Sequence, residues 1–207
     1  MNSMKNNHID QSNNIDILIA VDVMAILKDV NNKKIFNNGK PISKLSTDSQ
    51  KPTIIDGKYF YYITTQQQVY APKNNAKGTL KITGRPGDTL RWRATSLTAQ
   101  FVDQVFLYHM EGPGVENYIS TPGLIQHQSN IVAPEGNKNP IPNGIYDVKK
   151  YQTNIPYLQS ELDHIGQARY TWYISIYNRW PTPGDDKSGI IGYCSYNPDT
   201  DNIDIIN

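Results

Sequence analysis

A chain of 207 residues carrying 20 Lys+Arg against 19 Asp+Glu has a formal net charge of +1, which gives no electrostatic case for nucleic acid, since that requires clustered positive charge. No apolar stretch of 18 residues occurs, which excludes a membrane-spanning helix, and the single cysteine, Cys194, excludes an intramolecular disulfide. Weak net repulsion, by contrast, permits close self-association.

Residues 1–14 are Asn-rich and polar, contain no apolar core of signal-peptide length, and read as a disordered lead-in. Residues 15–207 then read as one β domain. Ile15 to Val23 alternates apolar and polar positions, as a strand with one buried face does. A short helical turn is expected over Met24 to Val30. Asn31 to Pro52, rich in Asn, Lys, Ser and Pro, is expected to be a long surface loop, with Lys33-Lys34 as solvated charge. Tyr59 to Thr64 is a second, aromatic strand, and a polar loop covers Gln66 to Lys77.

Thr79 to Thr83 alternates cleanly, and Gly84-Arg85-Pro86-Gly87-Asp88 supplies a turn. Thr89 to Thr95 follows, with Leu90, Trp92 and Ala94 on one face and Arg91 and Arg93 on the other. Gln104 to Met110 continues the β pattern. Glu111 to Asn143 carries five prolines and reads as irregular crossovers with a short strand. Tyr146-Asp147-Val148 opens a strand, Lys149-Lys150 reads as solvated loop, Arg169 to Asn178 is the strongest late strand, Ile190 to Tyr196 pairs back, and Ile203 to Ile205 closes the chain. Short strands separated by turn residues, with no long amphipathic helix, predict an all-β, antiparallel, jelly-roll-like β-sandwich with long irregular loops.

Catalytic patterns are missing from the sequence. His8, His109, His127 and His164 stand in no metal-ligand spacing, and neither a Gly-x-Ser-x-Gly elbow nor a phosphate loop occurs. No enzyme, no resident metal and no cofactor are expected. Asn197 to Asn202 offers oxygen ligands at alternate positions but lacks the sixth-position glycine of a calcium loop. A looser calcium site from Asp185, Asp186, Asp199 or Asp201 is the alternative to a solvated hairpin loop.

The aromatic content is the most unusual feature, with 14 Tyr and 3 Trp. Trp92 and Trp172 lie in phase with apolar neighbours and are expected as core anchors, and Cys194 as a buried thiol. Arg93 is expected to brace the opposite face by pairing with a carboxylate or backbone carbonyls, with ligand anchoring by Arg91 and Arg93 as the alternative. Trp180 stands at a strand end before a Pro-rich turn, where an exposed ring could stack on a sugar or on another subunit, local packing being the alternative. With Asn178, Asp199 and Asp201 it forms the candidate ligand-binding set. Tyr59, Tyr61 and Tyr62 are the first candidates for a homodimer or larger homo-oligomer interface, because three tyrosines in four positions cannot all face one core; the alternative is that their outward rings lie under the Asn31–Pro52 loop.

Gly87-Asp88-Thr89-Leu90-Arg91-Trp92-Arg93-Ala94-Thr95-Ser96-Leu97 resembles the bacterial inclusion-body protein family, the PixA/AidA-like proteins. Ile15 to Asp22 with Met24-Ala25-Ile26-Leu27, Ser120-Thr121-Pro122, Tyr170-Thr171-Trp172-Tyr173 and Gly192-Tyr193 match the family's pattern in order, so the resemblance spans about residues 15–207. It implies a β-sandwich, accumulation in the cytoplasm, sometimes as inclusions, and expression linked to host association or cell density. Export without a classical signal peptide stays open. The resemblance supplies no catalytic residues. The family's inclusion-forming prototype is methionine-rich, whereas this chain has 4 Met, which argues against crystalline inclusions. The expected function is a non-enzymatic binding or self-assembling accessory protein of a host-associated bacterium. The alternative is a carbohydrate-binding module, and an undetected hydrolase ranks last.

Overall fold

The computed structural model of the protein describes residues 12–65, 80–98, 102–112, 115–134, 148–180, 189–196 and 203–206. In chain order it contains β1 (Asn14–Val21), α1 (Val23–Asn31), β2 (Phe36–Asn37), β3 (Lys40–Pro41), β4 (Thr53–Ile54) and β5 (Phe60–Thr64). There follow β6 (Leu80–Thr83), β7 (Thr89–Ser96), β8 (Asp103–Glu111), β9 (Gly123–Pro134) and β10 (Val148–Glu161). The chain closes with β11 (Gly166–Ala168), β12 (Thr171–Asn178), β13 (Ile190–Tyr196) and β14 (Ile203–Ile206).

Two sheets face each other. The first has the order β5-β1-β7-β10-β9, the second β4-β13-β12-β8, and a smaller sheet β11-β14-β6 completes the set. This is the expected all-β sandwich. Its antiparallel character is broken at its centre, where β1 and β7 run parallel over eight paired residues from Asn14↔Thr89 to Val21↔Ser96. Strand alternation decides which side chains enter the core. Ile15, Ile17 and Ile19 of β1, Leu90 and Trp92 of β7, and Phe60 and Tyr62 of β5 all point inward and are buried. From the second sheet Trp172, Ile174, Ile176 and Cys194 meet them.

The alternation on β8 is interrupted. Val105 and Leu107 are buried at odd positions, then Met110 at an even one. The register against β12 shifts between Tyr173↔His109 and Ile174↔Leu107, so Tyr108 is an inserted residue that resets the phase. Its ring lies outside the sheet, edge-on to Tyr173 and Tyr193, and its hydroxyl donates to the Ser49 carbonyl at 3.0 Å.

Three elements differ from the sequence reading. The helical turn is a nine-residue helix, because Asp22 caps it by accepting from the Ala25 N–H at 2.9 Å and because Val23, Ile26 and Val30 give it a buried stripe. The expected loop over Asn31–Pro52 holds a hairpin, β2 with β3, turned by Asn38 and Gly39 at φ of 49° and 74°. Two successive positive φ values are what a tight two-residue hairpin demands, and Asn-Gly meets that demand. The segment also buries Ile35 and Leu45.

The largest difference is the region read as irregular crossovers. There β9 pairs with β10 over twelve residues, from Gly123↔Gln159 to Pro134↔Val148, as one long ribbon. Lys149 and Lys150, expected in a loop, are exposed on β10.

Candidate functional site

Each residue of the Gly87–Arg93 segment has a separate task. The Asp88 N–H donates to the Arg85 carbonyl at 2.9 Å, closing a turn with Pro86 and Gly87 at its centre. Gly87 has φ of 92°, a conformation that suits glycine and disfavours a side chain. The buried Asp88 carboxylate accepts from the Arg85 N–H at 2.8 Å and the Asn13 N–H at 2.9 Å, so it ties the turn to the chain entering β1. Leu90 and Trp92 then enter the core, while Arg91 and Arg93 project from the other face.

On that outer face the parallel register sets Asp16 beside Arg91 and Leu18 beside Arg93, and the antiparallel register sets Ile63 beside Leu18. Arg91 Nη2 donates to Asp16 Oδ2 at 2.8 Å. Arg93 is exposed and has no hydrogen bond or ion pair with another described residue. The bracing role expected of Arg93 therefore falls to Arg91. The parallel partner of Arg93 is the apolar Leu18, two residues along β1 from Asp16.

The β9–β10 ribbon completes the wall. β10 pairs with β7 only from Leu158↔Trp92 to Glu161↔Thr89, then departs. Pro156, which can donate no ladder hydrogen bond, stands just past that departure. Tyr157 and Ile155 share the outer face with the arginines, and His127 is paired with Ile155. These groups line a half-open cavity of about 480 Å³ between the outer face of β5, β1 and β7 and the root of the ribbon. The Arg91 guanidinium lies 5.9 Å from the Tyr157 ring centroid. Its walls are apolar apart from the two guanidinium groups, Asp16, His127 and threonine hydroxyls.

Beyond the cavity, the ribbon runs on without β7 for ten residues of β10, roughly 30 Å at strand spacing. Residues 123–132 of β9 are exposed except for the half-buried Ser129, on both faces of the ribbon. Leu124 (52% exposed) and Ile125 at the root of the ribbon, and Ile131, Val132 (57%) and Tyr151 towards its far end, are exposed apolar side chains. Among the described residues β9 is also the edge of its sheet, and its sequence Gly-Leu-Ile-Gln-His-Gln-Ser-Asn-Ile-Val-Ala-Pro contains no Asp, Glu, Lys or Arg.

The remaining expected residues are scattered. Trp92 and Trp172 are fully buried core anchors, as expected, and Cys194 is buried with its thiol pushed up to about 12 by desolvation. Trp180 is 69% exposed. The Arg179 guanidinium lies over its ring at 5.3 Å, and its backbone N–H donates to Asn178 Oδ1 at 2.7 Å, so Asn178 is engaged locally. Asp185, Asp186, Asp199 and Asp201 lie outside the described residues. Among the described residues no group of three His, Cys, Asp or Glu could hold a metal ion, and no helix among them is long and apolar enough to cross a membrane.

The tyrosine interface needs correction. Tyr59 and Tyr62 are buried, Tyr59 because it sits in a 3-10 turn with its hydroxyl donating to Asp29 at 2.8 Å, and Tyr62 because it is in phase with Phe60. Only Tyr61 is partly exposed. The rings that lie under the Asn31–Pro52 segment are instead Tyr108 and Tyr193, the latter bridged through its N–H to the Ser46 carbonyl at 2.7 Å. Sequence reasoning missed the cavity and the ribbon; the outward phase of Arg91 and Arg93 was the one signal that pointed to the cavity.

The family model for PixA, described as inclusion body protein, matches residues 13–201. A crystal structure of an inclusion body protein (PixA) from Burkholderia cenocepacia J2315 superposes with a TM-score of 0.62 at 16% identity, covering 95% of this chain and 96% of that one. At that identity the likeness speaks for the fold. No curated protein matches the chain.

Proposed function

The chain belongs to the PixA family of inclusion body proteins, and from that premise we propose that it is a non-enzymatic, self-assembling protein whose copies join through the β9 edge. The observation that carries this reading is the uncharged, twelve-residue edge strand on a ribbon with solvent on both faces. Edge strands in soluble proteins are commonly blunted by lysine, proline or covering loops. Here the charges, Lys149 and Lys150, lie on β10, one strand inward. A two-stranded ribbon is only marginally stable alone, so an overhang of this length gains from a partner.

A second copy is the occupant that fits best. A β9 edge placed antiparallel against another β9 is self-complementary about a two-fold axis. It would cover Leu124, Ile125, Ile131 and Val132 with the same residues, and the net charge of +1 opposes it little. Accumulation as assemblies in the cytoplasm belongs to this reading and is supported by the family's description as inclusion body protein, and a role as an accessory protein of a host-associated bacterium is proposed with it. Sedimentation velocity on the full chain tests it. The boundary should move faster as concentration rises through the micromolar range, whereas a single 23.4-kDa species throughout would end the proposal.

Carbohydrate binding is the second reading, favoured by one observation, the exposed Trp180 ring at a strand end. A glycan array on the full chain tests it: retention abolished by Trp180→Ala supports it, and no retention removes it.

A further inference from the structure

We propose that the cavity between the outer sheet face and the ribbon root binds a small amphipathic carboxylate, its charged group on Arg93 and Arg91 and its apolar or aromatic body against Leu18, Ile63, Ile155 and Tyr157. This site uses the outer face of β1 and β7, not the hydrogen-bonding edge of β9, so it stands independently of the assembly reading.

The size is suitable. About 480 Å³ falls in the range of small-molecule pockets, roughly 300–1,000 Å³. So is the pattern of a mainly apolar wall with few polar groups placed together, which is how such pockets combine affinity with orientation. The charge balance selects the sign of the ligand. Two guanidinium groups line the cavity against one carboxylate, Asp16, and that carboxylate is engaged by Arg91. Arg93 is left without a hydrogen-bond or ion-pair partner among the described residues, and Arg91 Nε is buried without one. One uncompensated positive charge matches a monoanion.

The donor geometry selects the group. A guanidinium presents a planar fork of N–H donors that meets a carboxylate through two parallel hydrogen bonds, and an ammonium could not do so. The Arg91 guanidinium lies over the Tyr157 ring at 5.9 Å from its centroid, so an aromatic body held by the arginines has a ring beside it to pack on.

The test is isothermal titration calorimetry on the full chain with octanoate and indole-3-acetate, each beside its neutral amide. At least one acid should bind saturably at one site, with affinity about tenfold weaker for the matched amide, as the loss of a charge-assisted contact implies. Arg93→Gln should weaken the acid by a similar factor while its melting curve and sedimentation stay those of the parent, because Arg93 is exposed. Ile63→Asp, which adds a carboxylate to the cavity wall, should abolish uptake, and Trp180→Ala should leave it intact. Failure of both acids to bind, equal binding of acid and amide, or parental affinity in Arg93→Gln would each overturn the proposal.

Discussion

The indole rings of Trp92 and Trp172 meet across the sandwich, one from each sheet, with centroids 6.2 Å apart and planes inclined at 55°. Tyr62 and Tyr170 adjoin Trp172 at 6.0 and 5.8 Å, so a four-ring cluster lies where the two sheets press together. Tilted ring pairs of this kind add to the burial of large apolar surfaces.

Replacing Trp92 by Ala should therefore cost about 3–5 kcal/mol, with a fall in Tm on the order of 10 °C. Trp92→Phe should cost distinctly less, because the buried indole Nε1 makes no hydrogen bond among the described residues. Urea unfolding of both variants checks this. An alanine variant melting within a degree or two of the parent would contradict the packing assigned to Trp92.

Asp29 on α1 accepts from the Tyr59 hydroxyl at 2.8 Å and from Lys58 Nζ at 3.0 Å, pinning the helix to the turn before β5. The Tyr59 hydrogen bond, then that of Lys58, holds its carboxyl below the ordinary value of 3.8. A carboxylate lowered in the folded state adds stability that is fully present above the unfolded value and is lost as pH falls through the folded one. Asp29→Asn should thus lower Tm at neutral pH, and the gap between variant and parent should close below about pH 4. Melting curves across that range decide it; a gap that widens in acid would reverse the assignment.

Cys194 faces the core between the sheets, where desolvation pushes its thiol up to about 12. A thiol so far from ionisation is a poor nucleophile. It should not react with a disulfide reagent near pH 8 in the folded protein, yet react fully once the chain is unfolded. Rapid labelling of the native protein would show that the β12–β13 pair opens readily.

What the sequence made legible follows where burial is one-sided. β1, β7 and β12 each bury one face, so their apolar residues alternate, and Trp92 and Trp172 could be placed from phase alone. β9 buries neither face, so Gln126 to Asn130 shows no alternation, and its neighbouring prolines read as loop. The parallel pairing of β1 with β7, which sets Asp16 beside Arg91, joins residues 75 positions apart and leaves no local trace. Nor could phase alone tell which arginine would find the carboxylate. The Asn38-Gly39 hairpin, by contrast, has the turn chemistry of a two-residue hairpin, although its polar surroundings resemble a loop.

Concentration-dependent amide hydrogen exchange tests most directly whether β9 is the joining edge. As the protein is taken from dilute to concentrated solution, amides of residues 123–132 should gain protection, while those of β1, interior to the sheet between β5 and β7, should keep theirs unchanged. Ile131→Lys combined with Val132→Lys, which charges the edge, should remove that gain. Protection appearing on another segment while β9 exchanges at the same rate throughout would contradict the account.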